Sequence, residues 1–239
     1  MKLLAFDTST EILSVALTDG SRVWQHSGPG AAQASSSLIP AVLELLAQAG
    51  LELAALDALV FGRGPGSFTG LRTACSVAQG LALGARLPVL PLDTLLAVAE
   101  EARFRQQPEA PALQLTALLD ARMDEMYVQR FTYAAGIWSA QDSCVLHRPE
   151  DFRPDAAGDL LAGNVFKVYA GRLPAWPAEQ TVEALPTASA MLRLAPALLA
   201  AGHGVDAVHA LPLYVRDKVA LTTEERARVK AQAALATTP

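Results

Sequence analysis

The chain has 239 residues, enough for one large domain or two smaller ones sharing a core, and with 51% hydrophobic against 18% charged residues it is not globally disordered. The formal net charge is −5, and basic residues cluster only at Arg103/Arg105 and Arg226/Arg228/Lys230. A protein that grips nucleic acid alone shows a basic face, so contact with RNA is expected only through a partner. No stretch approaches the roughly 20 apolar residues of a membrane helix. The opening Met1–Asp7 is too short an apolar run for a signal peptide, and a cytoplasmic chain without a membrane partner is expected.

In chain order, Lys2–Phe6 reads as a strand ended by Asp7-Thr8-Ser9-Thr10, residues that favour turns. Leu13–Thr18 is a second strand, Asp19-Gly20 a tight hairpin, and Arg22–His26 a third strand broken by Gly28-Pro29-Gly30. Ser35–Ala49 is a helix with Leu38, Val42, Leu45 and Ala49 on one stripe and Ile39, Leu43 and Leu46 on a second. That arc is wider than one core face requires, and Gly50 suits the C-terminal cap.

Leu59–Phe61 is a buried strand running into Gly62-Arg63-Gly64-Pro65-Gly66-Ser67-Phe68-Thr69-Gly70. A helix rich in small residues follows over Leu71–Leu83, then a strand over Leu87–Leu90, and a helix capped by Asp93 or Thr94 that reaches Ala102. The polar stretch Arg103–Pro111 is the best internal boundary. The expected units are 1–103, completed by a C-terminal helical segment 188–228, and a smaller unit over 112–187, with 229–239 a frayed tail.

Leu115–Leu119 is a strand ending in Asp120, and here the sequence repeats itself. Leu4-Ala5-Phe6-Asp7 matches Ala117-Leu118-Leu119-Asp120, Glu11 matches Asp124 and Val15 matches Val128, without a gap. Duplicated strand–acid–hairpin units suit two stacked RNase H-like domains. Further strands are expected at Val145–Leu146 and Leu160–Ala162, and a short helix over Val165–Gly171. A helix over Ser189–Ala201 should be kinked or divided by Pro196, and Thr222–Glu225 is a capping box before a last helix.

Two constellations could carry chemistry. The glycine loop, with a strand before it and a helix after, could cradle phosphate with its amides. It lacks the Lys-Ser or Lys-Thr of a Walker loop, and Pro65 removes one N–H, so a tight turn with Ser67 or Thr69 capping the helix is the favoured reading. Asp7 and Thr8 stand where an acid and a hydroxyl could hold magnesium and phosphate, or where a turn acid binds its own backbone. Asp120, Asp124 and Glu125 could join Asp7 across a cleft as paired carboxylates. Cys75 and Cys144 read as reduced thiols, and His26, His147, His203 and His209 show no metal-binding spacing, so no metal is expected.

Taken together, Asp7-Thr8-Ser9-Thr10, Ser14-Val15-Ala16-Leu17 and Gly64-Pro65-Gly66-Ser67-Phe68-Thr69-Gly70-Leu71-Arg72 resemble the bacterial TsaB (YeaZ) family. Leu119-Asp120-Ala121-Arg122 with Glu125-Met126-Tyr127 looks like that family's second-domain opening, and Pro212-Leu213-Tyr214-Val215-Arg216 like its C-terminal signature. The resemblance implies two actin-like ATPase (RNase H-like) α/β units with mixed sheets flanked by helices. It implies a non-catalytic partner of TsaD, the tRNA threonylcarbamoyltransferase, with a TsaE-like ATPase joining them, tRNA reached only through the complex, and a homodimer when alone. No cofactor is assigned to this chain; ATP or ADP with Mg would belong to the complex. The implied interface uses the N-terminal helices, giving Leu38, Ile39, Val42, Leu45, Leu46, Leu71, Arg72, Cys75 and Gln79. Asp7, Thr8, Gly64, Gly66 and Ser67 form a weaker candidate set for phosphate or nucleotide. The histidine pair of TsaD has no counterpart over residues 34–40. The alternative is a small ATP-dependent phosphotransferase or nucleotidase using Asp7 and the glycine loop.

Overall fold

The computed structural model describes residues 1–30, 33–154 and 159–216. The capping box at Thr222–Glu225 and the tail expected over 229–239 lie outside them.

Two sheets share the structure. In the first, β1 (Leu3–Asp7), β2 (Ile12–Thr18) and β3 (Val23–Pro29) form an antiparallel meander. The chain then crosses through helix α1 (Ala34–Ala49) to β4 (Ala58–Gly64), parallel to β1, and through α2 (Phe68–Ala85) to β5 (Val89–Asp93). The strand order is β3-β2-β1-β4-β5. Every residue of β1 is buried, as expected of a central strand covered on both faces. Leu4 and Phe6 face α1 and α2, whereas Leu3 and Ala5 face a helix supplied from far along the chain, α5 (Ala188–Ala200).

The second sheet contains β6 (Ala112–Arg122), β7 (Glu125–Ala134), β8 (Ile137–Ala140), β9 (Val145–His147), β10 (Leu160–Gly163) and β11 (Thr181–Glu183), with a one-turn helix α4 (Val165–Val168). Its order is β11-β10-β6-β7-β8, with β9 on β7. Helix α3 (Thr94–Gln106) lies between the sheets. Ala97 packs into the core of the first, and Leu95, Val98, Ala99 and Ala102 into that of the second. Even Glu100 is buried there, held by Arg103, Arg193 and the Trp138 indole. Burial alone would raise the Glu100 carboxyl, but those three donors hold it below its ordinary value.

Several local expectations change. β3 runs through Gly28 to Pro29, because it is an edge strand and proline removes no ladder bond there. α5 is not divided: Pro196 sits on its exposed side, while buried Leu192, Leu194 and Ala195 hold it to the sheet. Neither Ser67 nor Asp93 caps with its side chain, although both occupy the N-cap position. The repeat is real as two hairpins but slips by one residue. Asp7 faces Ser14 across the first, whereas Asp120 faces Met126 rather than Tyr127 across the second. Val15 and Val128 therefore occupy different registers, Val15 opposite Phe6 and Val128 opposite Leu118.

Candidate functional site

The glycine loop leaves the C-terminal end of β4 through a cis Gly64–Pro65 bond and delivers the chain to α2. Its glycines serve internal contact. A methyl group at Gly66 would overlap the Ser9 backbone, and one at Gly70 would overlap the Thr8 carbonyl. The Thr8 hydroxyl donates to the Gly70 carbonyl at 2.7 Å, and the Ser67 amide donates to the Ser9 carbonyl at 2.7 Å. That amide stands at the start of α2, where a phosphate oxygen would seek it. The turn after β1 already occupies the position.

Asp7 is fully buried. Its Oδ1 accepts from the Ser9 amide at 2.9 Å and from the Ser9 hydroxyl at 2.6 Å. Among the described residues its Oδ2 and the hydroxyl of Thr94, which faces it, have no partner within full hydrogen-bonding geometry. Burial pushes the Asp7 carboxyl up to about 6, against the opposing pull of Ser9 and, more weakly, of the Thr94 hydroxyl.

Between the two sheets lies a cleft of about 270 Å³, walled by Ser9, Gly66 and Ser67 on one side and by Asp120, Arg122 and Met123 on the other. The sequence-derived phosphate set is thus split. Gly66 and Ser67 line the cleft; Asp7, Thr8 and Gly64 lie buried behind it. The expected pairing of Asp7 with carboxylates across the cleft is not formed, because Asp7 has no exposed surface and the others are already paired. Asp120 holds Arg122 at 3.0 Å and accepts from the Tyr169 hydroxyl at 2.7 Å, Asp124 holds Arg172 at 2.6 Å, and Glu125 holds Arg216 at 2.6 Å. The second turn is a two-residue hairpin closed by Arg122 and Glu125, with positive φ at both Met123 and Asp124.

A strap, Leu211–Arg216, crosses from one unit to the other. The Leu213 amide donates to the Arg63 carbonyl at 2.7 Å, and Arg216 reaches the Ala121 and Arg122 carbonyls on the far side. Sequence reasoning found the strap as a motif without a location.

The helix pair requires a correction. Leu38, Val42, Leu45, Leu46 and Cys75, read from the sequence as partner anchors, point into this chain's own core with Phe6, Val15 and Phe61, and Leu71 is buried beside Gly64. The sheet claims the stripe that the pattern offered to a partner. Gln79 is half-buried and donates to the Ala210 carbonyl at 2.9 Å. Ile39 and Arg72 do face outward, joined by Leu43 at 58% and Leu83 at 70% exposure. Leu43 stood on the second stripe of the sequence reading; Phe68, exposed on the first turn of α2, was visible only as part of the loop motif. Among the described residues no group of three or more histidine, cysteine or acidic side chains could hold a metal, and no helix is long and apolar enough to cross a membrane.

Comparison with known proteins agrees with this architecture. The family model described as TsaD, tRNA N6-adenosine threonylcarbamoyltransferase, matches residues 29–147. The Escherichia coli K12 protein named tRNA threonylcarbamoyladenosine biosynthesis protein TsaB is 35% identical over 230 residues, covering 92% of this chain and 96% of its own. Its Haemophilus influenzae namesake is 37% identical over 236 residues, covering 92% and 95%. Among solved structures, YeaZ from Pseudomonas aeruginosa superimposes with a TM-score of 0.79 at 38% identity, over 89% of this chain and 99% of that one. The two mixed sheets flanked by helices are accordingly actin-like (RNase H-like) units, and the chain belongs to the TsaB (YeaZ) family.

Proposed function

We propose that this chain is the non-catalytic subunit of a TsaD-like enzyme in tRNA N6-threonylcarbamoyladenosine biosynthesis, docking through the outward faces of α1 and α2. The names of its relatives support the pathway. The observation that carries the subunit role is the state of the cleft. The acid of the first unit is buried, the leading amide of α2 is bonded to Ser9, and the acids of the second unit are paired. A phosphotransferase reading would need those groups free.

In this reading the same surface would carry a homodimer in the partner's absence, since Ile39, Leu43 and Leu83 leave apolar area uncovered. A TsaE-like ATPase, nucleotide with Mg, and tRNA enter this reading only through the assembled complex.

The test is solution mass by light scattering, with this chain alone and mixed with the TsaD-like protein of the same organism. A one-to-one complex is expected. Leu43→Arg, which places a charge on the exposed face, should weaken it by about 100-fold or more while leaving the melting temperature unchanged. Absence of a complex with the wild-type chain, or full binding by a folded Leu43→Arg protein, would reject this docking face.

A further inference from the structure

The first turn of α2 carries a side-chain cluster that the buried core does not explain. Phe68 and Tyr214 are 39% and 44% exposed, and their rings pack with centroids 5.3 Å apart. The Arg72 guanidinium lies 3.8 Å from the Phe68 ring centroid, and its Nε donates to the Tyr214 hydroxyl at 3.1 Å. The backbone leading to Tyr214 is tied down at several points. Cys75 Sγ and Gln79 Nε2 both donate to the Ala210 carbonyl, at 3.1 and 2.9 Å, and the Leu213 amide donates to Arg63. Two aromatic rings and an arginine are thus fixed in place before any partner arrives, which lowers the entropy lost on binding.

Arg72 commits only Nε to Tyr214. Its two terminal nitrogens have no partner among the described residues, and the side chain is exposed. A guanidinium stacked on an aromatic face with its outer edge free is arranged to take a carboxylate through two parallel hydrogen bonds. The cluster shares α2 with the exposed Leu83 of the helix face described above. Phe68, Arg72, Gln79 and Leu83 recur at spacings of four, seven and four, so they share one stripe of α2. The other outward residues, Ile39, Leu43 and Leu83, are aliphatic. Arginine and tyrosine are the residue types in which binding energy concentrates, whereas leucine is under-represented there.

We propose that Phe68, Arg72 and Tyr214 form the anchor of the partner surface. They receive an apolar side chain of the TsaD-like protein against the two rings and, beside it, an Asp or Glu carboxylate on the outer edge of Arg72. The inference rests on the docking reading above and adds where its energy lies and what chemistry the partner must present.

The test is titration calorimetry of the full chain against the TsaD-like protein of the same organism, with thermal unfolding as a control for folding. Phe68→Ala and Arg72→Ala should each weaken binding by about 30-fold or more. Arg72→Lys should recover little, because an ammonium neither stacks flat nor forks. Tyr214→Phe keeps the ring but loses the hydroxyl that orients Arg72, and should cost about fivefold. These two conservative variants keep the test alive if an alanine variant fails to fold. Binding by folded Arg72→Ala and Phe68→Ala within about twofold of wild type, with Leu43→Arg still disruptive, would overturn the anchor and leave the docking reading standing. Failure of the wild-type chain to bind would overturn both. Loss of a homodimer in Arg72→Ala with undiminished affinity for the TsaD-like protein would assign the cluster to a second copy, and would also overturn the proposal.

Discussion

The two hairpin turns that follow β1 and β6 begin alike and end in opposite environments. In the first, Asp7 is sealed beneath the glycine loop, with one oxygen satisfied by Ser9 and the other facing only the Thr94 hydroxyl among the described residues. In the second, Asp120 lies at the cleft wall and is saturated by Arg122, Tyr169 and the Arg122 amide. The glycine loop makes the difference. Gly66 and Gly70 let α2 close over the first turn, whereas after β10 it is the Asn164 side chain that reaches the second, accepting from the Asp120 amide at 2.9 Å. A duplicated acid therefore carries no fixed role; what its neighbours leave open decides its chemistry.

The largest effect is expected from filling the gap that seals the first turn. Gly70→Val should destabilise the fold by about 4 kcal/mol or more in urea unfolding, because its side chain would overlap the Thr8 carbonyl. Retention of wild-type stability would mean the turn is not pinned there.

Asp7→Asn sharpens the contrast and runs the other way. The folded protein raises the Asp7 carboxyl from 3.8 to about 6, so it favours the protonated form. The stabilisation from that proton is complete below about pH 3.8 and lost as pH rises through about 6, amounting to about 3 kcal/mol across the window. An amide stays neutral throughout and can donate to Thr94. Asp7→Asn should gain on wild type as pH rises from 4 to 7.5, reaching about 2 to 3 kcal/mol in paired urea titrations. A constant difference between the two proteins would place Asp7 in contact with water or a cation.

The smallest effect belongs to the second turn. The Arg122 side chain is 74% exposed where it pairs with Asp120, so Arg122→Ala should change stability by about 0.5 kcal/mol or less, as chemical denaturation would measure.

Much of this was legible in the sequence, for identifiable reasons. Gly50 ends α1 in a left-handed conformation, as its position after the last apolar residue indicated. The strands announced themselves because a buried strand needs a continuous apolar run, as Leu3 to Phe6 supply. The Gly64–Arg72 motif marked the right place, but its glycines serve contact with Thr8 and Ser9, partners that no local pattern reveals. The arc of α1 is as wide as its pattern indicates, but this chain's own sheet covers most of it and leaves Ile39 and Leu43 outside. Periodicity shows that Leu38 and Val42 share a stripe with Leu45; it does not show whose surface covers them. The strap showed as Pro212–Arg216 in sequence, yet its path across the cleft depends on contacts more than 90 residues away, such as Arg216 with Ala121.

Helix α3 gives the architecture a further property. Because its sides belong to two different cores, neither half of the molecule owns a complete hydrophobic interior. Severing the backbone in the polar stretch after Gln106 would leave each fragment with an apolar wall facing water. Such fragments should be rescued only by each other, reassembling as complementary pieces.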